Sequence, residues 1–225
     1  MNAQGKRSGE TAREYAYRMI REQVISLELK PGEAFNDMEF AAKIGVSRTP
    51  VREAVIQLSE ESRIIEIFPQ RGMRIAPIDV ELVEEARSLR VLLEKQIAGM
   101  CCEMATEEDI KWLQENVGLQ EFYMENSRPE MVMQLDDEMH HKLFMICHRE
   151  LTYGMCQKLA IHYDRIRSLS VNTVKDNTII EDHRKIIQFI DEHTKENDMA
   201  QREKHLSRWQ LNEGKFRQEF PDYFK

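Results

Sequence analysis

The sequence changes its periodicity at Pro77-Ile78-Asp79. Beyond that point, residues 80–105, 107–126, 129–148, 150–171, 177–194 and 197–218 repeat apolar residues at three- and four-residue spacing between polar breaks. Helices of this kind bury their apolar stripes by packing on one another, so the segment predicts a bundle of six or seven helices. The preceding residues read differently. Tyr15, Met19, Ile20, Val24 and Leu27 mark a helix over 11–28, stopped by Lys30-Pro31-Gly32. Asn36 reads as the N-cap of a short helix from about Asp37 to Ile44, with Gly45 as its left-handed end. Ser47 reads as the cap of a third helix, about Arg48 to Glu61, with Pro50 in its first turn. Ile64–Phe68 and Met73–Ala76 read as strands joined by Pro69-Gln70-Arg71-Gly72, a turn carrying a base. Three helices followed by a hairpin form the winged-helix pattern. The expected fold is mainly α, with an N-terminal winged helix-turn-helix and a C-terminal six- to seven-helix bundle. The expected divisions are a flexible N-terminus over 1–10, a DNA-binding domain over 11–77 and a helical domain over 78–225.

Charge is divided unevenly between these parts. The net charge of the chain is -8, which by itself argues against a nucleic-acid partner. Residues 1–78, however, hold 12 Lys+Arg against 11 Asp+Glu, and the acidity lies in the remainder. A near-neutral domain can bind DNA when its bases cluster on one face. The polar start, Met1 to Glu10, lacks the apolar segment of a secretion signal. No apolar run approaches the roughly 20 residues of a membrane span. Cys101, Cys102, Cys147 and Cys156 form no CxxC pair and read as reduced, mostly buried thiols. A cytoplasmic protein with no membrane contact is expected.

The strongest local signal is Gly45-Val46-Ser47-Arg48-Thr49-Pro50-Val51-Arg52-Glu53-Ala54. Arg48 and Arg52 stand four apart and project from one helix face. Unpaired N–H groups at the helix start, with Ser47 and Thr49, make a phosphate-binding surface. Arginine can also grip a guanine edge with two hydrogen bonds, as a helix entering the major groove requires. An ordinary capped helix with solvated arginines is the plainer reading. The stretch Leu29-Lys30-Pro31-Gly32-Glu33, then Phe40-Ala41, the segment Gly45 to Ala54, and Gly72 at a hairpin tip together resemble the GntR family of bacterial regulators. The resemblance covers residues ~11–77. It implies a winged helix-turn-helix acting as a homodimer on palindromic double-stranded DNA. It also implies DNA contacts from Arg48 and Arg52, helix-start contacts from Ser47, Thr49 and Pro50, and a wing tip at Gly72 that enters the minor groove. Met38 departs from the family, which commonly has a base there; Arg71 or Arg13 would compensate.

A second cluster lies in the helical half. Asp136 and His140 are four apart and share a helix face; His183 and His205 fall on two further helices. Three imidazoles and one carboxylate suit a divalent transition metal such as Zn, Ni or Mn. Asp137 and His141 form a rival pair one residue out of phase. His141, His148, His162 and His193 read as surface or capping residues. Asp136-x-x-Met139-His140-x-x-Leu143, Asp182-His183-x-x-Ile186, and Ala200 followed by His205-Leu206 resemble the motifs of the FCD ligand-binding domain of the FadR subfamily. That resemblance selects Asp136 and His140 over the rival pair and implies a metal-binding member. Arg90 with Glu94 matches an Arg-x-x-x-Glu of such domains and suits a small organic acid effector, since a guanidinium pairs with carboxylates. A structural Arg–Glu pair is the alternative, with Arg87 and Arg165 as further pocket candidates. The function expected is that of a transcription regulator, a repressor relieved by its effector. A structural metal with an acyl effector is the alternative, and a metalloenzyme built on the same cluster is a minor one.

Overall fold

The computed structural model describes residues 5–173 and 178–225, so residues 1–4 of the expected flexible N-terminus and Asn177 of the expected helix 177–194 lie outside them. The chain divides into two compact units, one of residues up to Val80 with Glu219–Lys225, the other of Glu81–Gln218.

The first unit contains α1 (Ala12–Ile25), β1 (Ala34–Phe35), α2 (Asp37–Ile44), α3 (Arg48–Ser62), β2 (Ile65–Phe68) and β3 (Gly72–Ile75). Thr11 and Glu14 close a reciprocal capping box on α1. Upstream, Glu10 accepts from Arg18 at 2.8 Å and ties the chain entering α1 to that helix. Asn36 accepts from the amides of Met38 and Glu39, and Gly45 ends α2 in the left-handed conformation with φ 72, as its sequence position requires. Ala16, Ile20 and Val24 of α1 pack with Val51, Ala54, Val55 and Leu58 of α3 in the buried core. The strands form an antiparallel sheet in the order β1-β3-β2. Strand β1 has only two residues, too few for an alternating pattern, and was not legible beforehand. At the hairpin tip, the Arg71 amide donates to the Phe68 carbonyl at 3.0 Å, and Gly72 takes φ 99, where a Cβ would strain the turn. The tail from Glu219 belongs to this unit rather than to the helical one expected for all of 78–225. Its reason is backbone pairing: the buried Ile78 donates to the Tyr223 carbonyl at 2.6 Å and accepts from the Lys225 amide at 3.0 Å.

The second unit is a helical bundle: α4 (Val80–Met104), α5 (Glu107–Glu125), α6 (Pro129–Ile146), α7 (Glu150–Thr173), α8 (Thr178–Asp191), α9 (Lys195–Leu206) and α10 (Glu213–Glu219). Ile97, Leu113, Val117, Met139, Leu143, Phe144, Ile186 and Ile187 form its core. The expected helix over 197–218 is broken after Leu206 by a 3-10 turn, Arg208–Leu211. There the Ser207 hydroxyl bonds back to the Glu203 carbonyl at 2.7 Å, Arg208 turns to Asp182, and Trp209 is buried. The ion pair of Arg208 and the burial of Trp209 accompany the break. Among the described residues, no helix is long and apolar enough to cross a membrane.

Two glycines should respond oppositely to alanine. Gly45→Ala should lower stability by about 1–2 kcal/mol through its positive φ. Gly118→Ala should raise it by about 0.5–1 kcal/mol, since it sits inside α5 and an added Cβ meets nothing within 4 Å. Thermal denaturation checks both.

Candidate DNA-reading surface and candidate metal centre

The start of α3 is an exposed, open helix end. Ser47 occupies the N-cap position with extended backbone, but its side chain makes no capping hydrogen bond, contrary to the cap expected of it. The first-turn amides are therefore left to an external acceptor. Thr49 is exposed beside Ser47, and Pro50 lies half-buried in the first turn. Arg48 and Arg52 are 54% and 56% exposed, and both lean on one carboxylate: Arg48 Nε lies 3.0 Å from Asp37 Oδ1 and Arg52 Nη1 3.3 Å from Asp37 Oδ2. Asp37 itself is buried, so it fixes the two guanidiniums one turn apart while most of their donors still face outward. Sequence reading missed Asp37; its signal was an acid in the first turn of α2 opposite two arginines. Arg71 and Gly72 are exposed at the hairpin tip, and Met38 and Arg13 are exposed elsewhere on the unit. Arg74 pairs with Glu66 and lies 5.3 Å from the centre of the Phe68 ring.

In the second unit, Asp136 and His140 on α6, His183 on α8 and His205 on α9 are all buried, and one donor atom of each lies within 4.8 Å of the others. His183 Nε2 is 3.3 Å from His205 Nε2 and 3.3 Å from Asp136 Oδ1; His140 Nε2 is 3.8 Å from Asp136 Oδ2. The rival pair points elsewhere: Asp137 meets Arg167 at 2.9 Å, and His141 stacks on Tyr153 with ring centres 4.7 Å apart.

A chain of buried amides determines which nitrogen of His183 faces the cluster. Asn116 Nδ2 donates to the Leu135 carbonyl at 3.2 Å, Gln120 Nε2 donates to Asn116 Oδ1 at 2.7 Å, and Gln120 Oε1 is left to accept from His183 Nδ1 at 2.8 Å. His183 Nε2 then faces the cluster as an acceptor. Across from it, His205 sets Nδ1 toward Asp182 Oδ2 at 3.8 Å and Nε2 toward His183. His140 is buried with no hydrogen-bond partner on either ring nitrogen. Such a set of lone pairs fits a cation, whose bonds of about 2.1 Å place neighbouring donors roughly 3–3.5 Å apart.

The surrounding charges keep the donors available. Burial pushes His140 down to about 4 against the pull of Glu94, and burial together with His205 holds His183 well below the ordinary imidazole value. Burial alone would raise Asp136, but the Arg167 guanidinium, then the imidazoles, hold its carboxyl well below the usual range. Arg167 also meets Asp164 at 2.7 Å, and Arg208 pairs with Asp182 behind His205. Glu94 Oε2 stands 3.1 Å from His140 Nδ1 without the alignment of a hydrogen bond. Gln120 and Arg167 were not assigned from sequence, because their helices bring them to the cluster from distant positions; Asp182 was named in the motif with His183, but its contacts with His205 and Arg208 depend on other elements. Arg90 is buried, with Nε 2.7 Å from Glu94 Oε1 and its guanidinium 5.6 Å from the Tyr163 ring centre. Arg87 is engaged by Glu84 and the Ser207 hydroxyl.

Comparison with known proteins agrees with both units. Residues 12–75 match the family described as bacterial regulatory proteins, gntR family, and residues 85–208 match the FCD domain. The HTH-type transcriptional repressor RspR of Escherichia coli is 28% identical over 211 residues, covering 92% of this chain and 91% of that protein. An HTH-type transcriptional regulator from an unstable DNA locus of Streptomyces ambofaciens is 30% identical over 190 residues, 82% of this chain and 78% of that protein. Among solved structures, E. coli McbR/YncC shares the fold with a TM-score of 0.78 at 17% identity, over 93% of this chain and 99% of that one. These families and relatives are transcription regulators rather than enzymes, which removes the metalloenzyme reading. With a winged helix-turn-helix in front and an FCD domain behind it, the chain belongs to the GntR family of bacterial DNA-binding transcription regulators.

Proposed function

We propose that this protein is a cytoplasmic repressor that binds a palindromic operator as a homodimer and releases it when a small organic acid enters a metal-containing pocket of the FCD domain. The start of α3 enters the major groove, where Arg48 and Arg52 read bases or phosphates and Ser47, Thr49 and Pro50 line the backbone. The wing tip, Arg71 and Gly72, follows the minor groove. Asp136, His140, His183 and His205 hold one divalent transition ion, Zn, Ni or Mn. That ion, when bound, offers open coordination positions to a carboxylate. Arg90 steadies the acid through its remaining donors, while Glu94 holds Arg90 in place. The observation that carries the sensor half is the convergence of buried donor atoms from Asp136, His140, His183 and His205 within 4.8 Å of one another. Effector binding must favour one arrangement of the dimer by a few kcal/mol to empty the operator. The buried Arg90–Glu94 pair also favours a second reading, in which Arg90 is structural, the ion only stabilises the bundle, and the effector is an acyl chain.

Arg52→Ala should weaken operator binding about 10- to 100-fold in fluorescence anisotropy, with the dimer unchanged by light scattering. Unaltered affinity would remove the recognition role. His183→Ala and His205→Ala should each purify without the metal present in the parent protein, as read by elemental analysis; full occupancy in either variant rejects the site. A thermal-shift screen of sugar acids and short hydroxy or keto acids should give stabilisation that chelator abolishes. Chelation that lowers Tm yet leaves the effector response intact would favour the second reading.

A further inference from the structure

The second unit also holds two thiols in contact. Cys101 is near the end of α4, and Cys147 is the residue that closes α6; both are buried, and their Sγ atoms are 3.5 Å apart. Each is set by the other's helix. Cys101 Sγ is 3.5 Å from the Leu143 carbonyl on α6, and Cys147 Sγ is 3.7 Å from the Ile97 carbonyl on α4. A disulfide needs a separation of about 2.05 Å. The remaining travel is roughly 1.5 Å, within reach of side-chain torsion and a small shift of the last turn of α6. The other cysteines face elsewhere: Cys102 Sγ points to the Phe189 carbonyl at 3.8 Å, and Cys156 lies on α7.

The surroundings favour reaction at one sulfur. Arg202 on α9 is buried, with Nε and Nη2 donating to Asp198 at 3.0 Å each and Nη1 3.7 Å from Glu94, and its charge still acts on both thiols. A fixed guanidinium favours thiolate. The hydrogen bond between the thiols holds Cys147 below its ordinary value and pushes Cys101 up. Cys147 is also the easier to reach. It ends α6 just before the exposed His148, whose φ of 54 turns the chain outward. Opening that terminal turn brings the sulfur to solvent without unfolding the bundle.

We propose that Cys101 and Cys147 are a redox-responsive pair, closed to a disulfide by a hydroperoxide and reopened by a dithiol. With hydrogen peroxide, the Cys147 thiolate attacks one oxygen; the O–O bond breaks, leaving a sulfenic acid and hydroxide. Cys101 gives its proton to that hydroxide, forming water, and its sulfur attacks Cys147 Sγ. The S–O bond breaks and the second oxygen leaves as hydroxide, which becomes water by taking up the proton that Cys147 released on ionising. The two thiols lose two electrons and the peroxide gains them.

The position of the pair gives the bond a consequence. Cys101 follows Glu94 by seven residues on α4, and Cys147 follows His140 by seven. Seven residues is two turns along the same face. The sulfurs therefore meet on the seam where Glu94 meets His140 at 3.1 Å. Closing the bond staples the helix bearing Arg90 and Glu94 to the one bearing Asp136 and His140.

The test uses the full chain treated with hydrogen peroxide, denatured, alkylated and weighed. Two of the four thiols should escape alkylation. Tryptic mapping should join the peptide 96–111 to the peptide 143–149, and dithiothreitol should separate them. Cys102→Ser should retain the link, while Cys101→Ser and Cys147→Ser should each abolish it. The oxidised parent should melt above the reduced one, as expected of a cross-link closing a long loop. Alkylation of all four thiols after peroxide, a link through Cys102 or Cys156, or oxidation of Cys147 to sulfinic acid without a link would each overturn the proposal. Fragmentation of the joined peptides between Cys101 and Cys102 assigns the bond in the parent protein itself, so the result does not depend on any variant folding.

Discussion

Three imidazoles and a carboxylate buried at one point need each nitrogen's role, donor or acceptor, to be set by its neighbours, and the helical unit is arranged around that constraint. Gln120 has its amide N–H committed to Asn116, so its oxygen must take the proton of His183 Nδ1. That leaves His183 Nε2 directed at His205 and Asp136. Arg167 and Arg208 back the carboxylates of Asp136 and Asp182. Burial of an isolated charge is costly, yet every charge near the cluster has an opposite or a donor beside it. The bundle thus brings three imidazoles and a carboxylate together with their charges compensated.

The DNA-reading unit solves the reverse problem with a single buried acid. Two guanidiniums one turn apart repel, and free arginine side chains lose much entropy when they dock. Asp37 gives each a partner within 3.3 Å and so sets their direction before any DNA arrives. Ser47 leaves the helix end open by making no capping bond. Both arrangements leave polar donors exposed at the start of α3.

Much of this was legible in the sequence, because it depended on local chemistry. Gly45 and Asn36 act through their own backbone neighbours, and the spacing of Asp136 and His140 places them on one face of α6. The elements that escaped depend on distant partners. Strand β1 exists because Ala34 and Phe35 find Arg74 and Met73 across the sheet. The stop after Leu206 depends on Asp182 and a buried Trp209. The roles of Gln120, Arg167 and Asp37 require knowing which helix lies opposite. Periodicity shows which face turns inward and says nothing of what it will meet there.

The clasp of the tail on Ile78 has a consequence for how the molecule assembles. Asp79 and Lys225 pair across 146 residues of sequence, so the N-terminal unit is discontinuous in the chain. On a ribosome its three helices and hairpin can pack early, but the last backbone partners of Ile78 emerge only after the entire bundle has been made. Closing so long a loop is entropically slow. The backbone pairing of the first unit can therefore be completed only once residues 223–225 have been translated, although the rest of that unit is translated first.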